Sequence, residues 1–546
     1  MTIRKTYGSF KKIPLALLLS TTFMASYTTY AATVPAGVEL AAKQEITRNN
    51  GSEPASLDPH KVESDVEFNI LSDLFAGLVT TDSKGDAQPS LAGSWETKDN
   101  KTWVFHLRPG IVWSDGSPIT AQDVVFSWQR LIDPKTASPY ESYLGSMHVL
   151  NAADIIDGKK PADQLGIKAL DKQTLEITLD QPLSYFLGML AHPSLSPISQ
   201  ADVEKYGDKW TQPGNLVSSG PFKLDTWTVN ERITAVRNPN YWDNSHTVIN
   251  KVTYLPIASG TADVNRYKAG EIDITYTVPS PLFASLKKEL GSQVHVSPYL
   301  AVYYYAMNTQ KPPFNDVRVR KALNLAIDKS IIADKVLGQG QTPAWHLSPD
   351  NTGGFTFAKP KEASLTQEQR NAEAKKLLTE AGFGPDHPLK FNLLYNTSES
   401  HQRIAIAAAS MWKKNLGVDA VLQNQEWKTM LDTMHQGTYE VVRYAWIADY
   451  NEPSTFLNTL RTGNSENTPK FSNAAYDQAL NDALKATDKA DVGKAYQQAE
   501  QVLTEQSPVI PLYHYVSARL VKPYVGGFND SLLNYIYTKD LYVIKH

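Results

Sequence analysis

The chain has 546 residues, with 53 Lys/Arg against 57 Asp/Glu, a formal net charge of −4 and no cysteine. That length leaves room for several domains and a large core that needs no covalent staples. The missing cysteine excludes disulfides, thiol nucleophiles and a lipidated N-terminal cysteine, and an acidic balance without a basic stripe argues against nucleic acid as a partner.

The first segment reads as an address. Arg4, Lys5, Lys11 and Lys12 form a positive start, Ile13 to Met24 is apolar around Leu15, Leu17, Leu18 and Leu19, and Thr29-Tyr30-Ala31 is a cleavage site. That is the pattern of a secretory signal peptide over residues 1–31. The apolar run is shorter than the roughly 20 residues a spanning helix needs. Removing 31 of 546 residues leaves 515, with 49 basic against 57 acidic side chains, since the segment carries four Lys/Arg and no Asp/Glu. The expected product is free in the periplasm, neither lipid-anchored nor membrane-spanning.

Mixed α and β patterns follow. Trp103, Phe105 and Leu107 recur at every second position, the period of a half-buried strand, and Asp115-Gly116 supplies a turn. Thr120 to Asp123 opens a helix carrying Val124, Val125, Trp128 and Leu131. Leu175, Ile177 and Leu179 alternate again as a strand. Asp316 caps a helix with Val319, Leu323, Ala326 and Ile327 on one face. Ser364-x-x-Gln367 reads as a capping box before Leu377 and Leu378, with Gly382 as the C-cap. Val509 to Tyr515 and Leu541 to Ile544 read as late strands. No solenoid-type repeat and no low-complexity linker interrupts the chain.

The usual catalytic signatures are absent: no H-E-x-x-H, G-x-S-x-G, P-loop or EF-hand loop. Gly338-Gln339-Gly340 lacks the third glycine of a dinucleotide fingerprint. The 12 histidines show no paired metal-ligand spacing. A binding protein without enzymatic activity, cofactor or metal is expected. The 27 tyrosines and 11 tryptophans offer broad apolar faces with one polar tip, suited to gripping varied ligands as well as to packing a core. The run Tyr303-Tyr304-Tyr305 fits either use.

Several stretches carry a family resemblance: Asn49 to Pro54 with Ser56 to His60, Trp113-Ser114-Asp115-Gly116, Arg237 to Trp242, Tyr395-Asn396-Thr397-Ser398, Ala448 to Pro453, and Ala518 to Pro523. Together, in this order from Val34 to His546, the chain resembles the large solute-binding proteins of peptide ABC importers (solute-binding protein family 5), especially its oligopeptide-binding and murein-tripeptide-binding branches. The resemblance implies an α/β, two-lobed periplasmic binding protein whose hinged jaws close on ligand, with an extra appended domain. One lobe would comprise 32–75, 200–300 and 517–546, the appended domain 76–199 and the other lobe 301–516, so the chain crosses the hinge near 300 and 516. It implies short peptides as ligands, transient docking to an inner-membrane permease with its ATPase subunits, and a monomer.

A binder of varied peptides must read what peptides share: an amine, a carboxylate and a backbone that pairs by strand addition. Asp449 follows the apolar run Val441, Val442, Ala445, Trp446 and Ile447, hence the end of a strand, where a carboxylate can meet an ammonium in a charge-assisted bond. The resemblance assigns it to the ligand amine. Arg443 lies six residues earlier, on the same side of a straight strand and at most about 20 Å away; its planar fork suits a carboxylate. The resemblance gives Arg443 and His401 carboxylate-binding roles, and places Glu63, Tyr140, Tyr276, Tyr304, Trp427, Leu431 and Trp446 along the groove. Two positions depart from the family pattern. Met434 and Leu337 stand where relatives carry cations, which favours neutral or apolar peptides, unless Arg403 or Lys413 compensates. The rival readings are murein-tripeptide recycling, haem or metal-chelate binding, and a chaperone-like holdase.

Overall fold

A computed structural model describes residues 32–546, so the expected signal peptide lies outside the described residues. Strand β1 (Glu45–Asn49) and helix α1 (Asp65–Leu74) come first. Next are β2 (Ala92–Thr97), β3 (Thr102–Leu107), helix α2 (Ala121–Ile132), β4 (Ile167–Ala169) and β5 (Thr174–Thr178). These four strands form an antiparallel sheet in the order β2-β3-β5-β4. Trp103, Phe105, Leu107, Leu175 and Ile177 are buried from it, as period-two alternation dictates. Helix α2 starts where Thr120 and Asp123 close a capping box, the Thr120 amide donating to Asp123 Oδ2 at 2.8 Å.

Strands β6 (Phe222–Thr228), β7 (Arg232–Arg237) and β8 (Lys251–Leu255) join β1 in a second sheet, ordered β1-β8-β7-β6, with β1 parallel to β8. The β2–β5 sheet is therefore inserted between strands of one sheet. The chain end returns to the same place: the Gln44 amide group exchanges hydrogen bonds with the Val543 backbone at 2.8 Å, and Arg48 Nη1 donates to the Ile536 carbonyl at 2.9 Å. A buried ion pair ties the insertion down. Arg130 of α2 donates to both Asp58 oxygens at 3.0 and 2.6 Å, and Trp210 Nε1 donates to Oδ2 at 3.3 Å. Burial alone raises the Asp58 pKa; the Arg130 bonds, helped by neighbouring charge and a backbone N–H, outweigh it and leave the carboxyl below its usual value.

Further along the chain come β9 (Val294–Met307), α3 (Val317–Leu325), β10 (Thr342–Pro343), α4 (Gln367–Glu380), β11 (Lys390–Asn396), α5 (Glu399–Leu416), β12 (Asp419–Gln425), α6 (Trp427–His435), β13 (Val441–Ile447), α7 (Ala474–Lys485), α8 (Lys489–Gln506) and β14 (Val509–Leu520). Their strands build a mixed sheet ordered β10-β14-β9-β13-β11-β12, with β13, β11 and β12 parallel. Asp316 caps α3 as expected, its Oδ1 accepting from the Arg318 amide at 2.8 Å. The tyrosine run splits by alternation: Tyr303 and Tyr305 enter the core containing Trp412, while Tyr304 enters the larger core on the opposite face.

Two local readings shift. The cap of α4 is Thr366 with Gln369, not Ser364 with Gln367. Ser364 instead bonds the Lys361 carbonyl at 2.7 Å in a preceding turn, and Gly382, at φ +90°, follows the cap residue Ala381. Strand β14 also runs on to Leu520, five residues beyond Tyr515. The β9–β14 ladder pairs Val294 with Leu520 through Pro298 with Val516, then resumes at Val302 with His514. The break leaves Tyr299 to Ala301 and Tyr515 outside the ladder.

Candidate functional site

A cavity of ≈ 270 Å³ is walled by the loop before α1, α1 itself, the ends of β11 and β13, strand β14 and the C-terminal segment. Eight expected residues line it: Glu63, Tyr140, Tyr276, His401, Trp427, Arg443, Trp446 and Asp449. Tyr304 and Leu431 do not. Alternation turns Tyr304 into the core against Tyr444, and Leu431 is buried on α6. The departing positions Met434 and Leu337 are likewise buried in the cores rather than on the wall. Arg403 and Lys413 are not on the wall either, and Lys413 pairs with Asp419 at 2.6 Å.

Asp449 emerges where β13 ends. Its amide donates to Thr455 Oγ1 at 2.8 Å, which fixes the turn. Its Oδ1 accepts from Tyr140 Oη at 3.1 Å and lies 3.3 Å from His192 Nε2. The side chain is 8 % exposed, and among the described residues no lysine or arginine pairs with it. His192 stacks on Tyr140 with ring centroids 4.4 Å apart.

More carboxyl groups gather there. Glu63 Oε2 meets His435 Nε2 at 3.1 Å, while its Oε1 is buried without a partner. That bond raises the His435 pKa, against the opposing effect of burial. Glu466 Oε1 is also buried and unpartnered; burial, then the charges of Glu63 and Asp449, push this carboxyl well above its usual range.

Cations occupy other parts of the wall. Arg443 Nη1 donates to Asn396 Oδ1 at 3.1 Å and Nη2 to Tyr515 Oη at 2.9 Å; its guanidinium lies 4.6 Å from the Tyr303 ring centre, and its Nε has no partner. His401 is held well below its usual pKa by burial and then by Arg443, so it is neutral at pH 7, with Nδ1 buried and unpartnered. Arg519 donates to Asn534 Oδ1 at 2.8 Å and Ser517 Oγ at 3.2 Å. Tyr276 Oη donates to Asp65 Oδ2 at 2.7 Å. Burial raises the Asp65 pKa, opposed by that bond and by Arg519.

Aromatic faces fill the rest. Trp446 stacks on Tyr140 and Trp427 on Tyr444, each with centroids 6.4 Å apart. Gly51 is required beside them: at φ +79°, an added Cβ would stand 2.8 Å from the Tyr276 ring.

Asp65, Tyr515 and Arg519 line this wall and His192 contacts its Asp449; none of the four was singled out from sequence. A signal existed for two of them: Tyr513, Tyr515, Ser517 and Arg519 recur at period two along β14, and all four line the cavity. His192 and Asp65 carry no local signal, because their neighbours come from distant segments. Among the described residues there is no group of three or more His, Asp or Glu able to hold a metal, and no helix long and apolar enough to cross a membrane.

Comparison with known proteins identifies the architecture. The family described as bacterial extracellular solute-binding proteins, family 5 (middle region) matches residues 86–468. The periplasmic oligopeptide-binding protein OppA of Salmonella typhimurium is 55 % identical over 539 residues, 98 % of this chain and 99 % of the relative. The structure of the Escherichia coli murein tripeptide binding protein MppA superposes with a TM-score of 0.92 at 48 % identity, covering 93 % of this chain and 100 % of the other. MppA in its unliganded open form gives 0.66 over 94 % and 99 % of the two chains, so this chain has the lobe arrangement of the former structure. Haemophilus influenzae OppA in complex with RPPGFSPFR gives 0.91 at 47 % identity, covering 93 % and 100 %. The chain belongs to the family 5 bacterial extracellular solute-binding proteins and has their two-lobed α/β fold.

Proposed function

We propose that this protein captures short oligopeptides in extended form between its two lobes, in the periplasm, and delivers them to an inner-membrane ABC permease. One observation carries the reading. A buried carboxylate with no lysine or arginine partner among the described residues, Asp449, and a buried guanidinium bonded to neutral groups, Arg443, face the same cavity. A charge buried without a counter-charge is costly. A zwitterionic ligand supplies both missing partners: its ammonium to Asp449, its carboxylate to Arg443 with a hydrogen bond from neutral His401.

The parts form a binding device rather than a catalyst. Its aromatic walls accept varied side chains. The hinge is assigned to the break in the β9–β14 ladder, with 32–75, 200–300 and 517–546 in one lobe, 301–516 in the other and 76–199 appended to the first. Export through residues 1–31, action as a monomer and transient docking to the permease belong to the same reading.

Relatives of both branches support the ligand class, and the wall favours oligopeptides over a murein tripeptide. Glu63 and Asp449 line one part of the wall, with Glu466 beside Asp449, while Met434 and Leu337 bring no cation to it. A ligand with extra carboxyl groups gains little there. The test is to unfold the purified protein, identify the released material by mass spectrometry, and titrate the refolded protein with it. Peptides of mixed sequence with free amines are expected; exclusive recovery of murein peptides, or of no peptide, contradicts the proposal.

A further inference from the structure

A second, open cleft of ≈ 1020 Å³ lies on the far side of the strands that cross between the lobes. Tyr299, Tyr515 and Val516 line both this cleft and the closed cavity. They sit at the interruption of the β9–β14 ladder, where Tyr299, Leu300 and Ala301 fall out of register and Tyr515 has no ladder partner. At this point the Leu300 backbone bonds outside β14: its N–H donates to the Leu532 carbonyl at 2.9 Å and its carbonyl accepts from the Ala448 N–H at 2.8 Å. The rings of Tyr299 and Tyr515 stand between the two spaces, packed edge to face with centroids 5.7 Å apart. Interruptions of this kind beside binding sites serve to re-aim a side chain.

The partition adjoins the carboxylate end of the site, since Tyr515 Oη is the acceptor for Arg443. Beyond it, Trp345, Lys359, Arg370, Asp328 and Asp350 line the outer cleft. An aromatic face with charges of both signs favours no single sequence, as a tail of varied residues requires.

We propose that the outer cleft is a second binding region, which takes the C-terminal residues of peptides too long for the closed cavity. The Tyr299–Tyr515 pair is the gate through which they pass. This rests on the peptide-binding reading above. Short peptides end at Arg443 and leave the rings packed. Longer ones swing the rings aside and run out between the strands, with the lobes still closed around their N-terminal half.

The experiment uses the full mature protein, trialanine and the nonapeptide RPPGFSPFR. Thr342 is exposed at the rim of the outer cleft and does not line the closed cavity. Thr342→Trp places an indole in the cleft; it should weaken the nonapeptide by about tenfold or more while trialanine changes by less than about twofold. Tyr299→Ala should shift the affinity ratio of nonapeptide to trialanine upward. A nonapeptide carrying benzoylphenylalanine at its last position should crosslink to residues 340–350, whereas a tripeptide so labelled should crosslink to 396–401 or 443–449. The proposal is overturned if Thr342→Trp affects both peptides equally or neither, or if the nonapeptide crosslinks only within the closed cavity. If wild-type protein binds neither peptide, the peptide-binding reading itself fails.

Discussion

Tyr140 and Asp449, 309 residues apart in the chain, meet in a buried hydrogen bond of 3.1 Å from the phenol to Oδ1. The tyrosine precedes a short helix of the inserted β2–β5 region and the aspartate follows β13. The bond therefore ties the inserted region to the end of β13 and fixes the carboxylate that is proposed above to meet a ligand ammonium. Burial, with Asp449 next in effect, holds the Tyr140 phenol far above its usual pKa, so it remains a donor. Tyr140→Phe should cost peptide affinity about 1.5–3 kcal/mol, the value of a hydrogen bond to a charged group. Titration calorimetry with a tripeptide measures it, and unchanged affinity would show that the bond plays no part in binding.

Arg443 should govern the response to the ligand carboxylate. Wild-type protein should bind a C-terminally amidated tripeptide more weakly than the free acid, and Arg443→Ala should largely lose that difference. Burial and Arg443 hold the His401 pKa well below its usual value, so in the proposed site it offers a hydrogen bond without charge, and His401→Ala should narrow the difference less. Equal sensitivity to amidation in wild type and Arg443→Ala would remove Arg443 from the carboxylate subsite.

The Arg130–Asp58 pair should matter for folding rather than for ligand. Arg130→Ala leaves Asp58 buried and uncompensated, and such losses cost about 3–5 kcal/mol. Urea denaturation should show a lower midpoint with an unchanged slope. Tripeptide affinity of the folded protein should match wild type.

The Glu63–His435 contact predicts a pH dependence. The folded-state pKa of His435 is raised above 6.5. Its contribution to stability is then fully present below pH 6.5 and is lost as pH rises through the folded value. The difference in Tm between wild type and His435→Gln should shrink as pH increases from 6 to 9. A difference that stays constant with pH would mean the contact carries no charge.

The strand ending at Ile447 was legible because Val441, Val442, Ala445, Trp446 and Ile447, with Arg443 as the one charge among them, lead up to Asp449, and a sheet strand with covered faces reads that way. The capping boxes were legible as chemistry but ambiguous in place. Ser364-x-x-Gln367 and Thr366-x-x-Gln369 overlap by two residues, and only three-dimensional context selects the second. Tyr304 was misplaced because family likeness names a position without saying which face of β9 it occupies. His192 escaped notice because its role depends on Tyr140 and Asp449, residues 52 and 257 positions away. Local pattern reports burial and turns; a site assembled from the insertion, β13, β14 and the chain end is set by topology.

The most direct measurement concerns Asp449. Calorimetric titration of wild type and Asp449→Ala against a tripeptide and its N-acetylated form isolates the amine contact. Wild type should bind the free peptide more tightly than the acetylated one by about 3–5 kcal/mol, the penalty for an unpaired buried charge, or roughly two to four decades. Asp449→Ala should bind the free peptide that much more weakly and discriminate little between the two. If Asp449→Ala keeps wild-type affinity and the same sensitivity to acetylation, the carboxylate is not the amine anchor and the polarised-cavity reading is wrong.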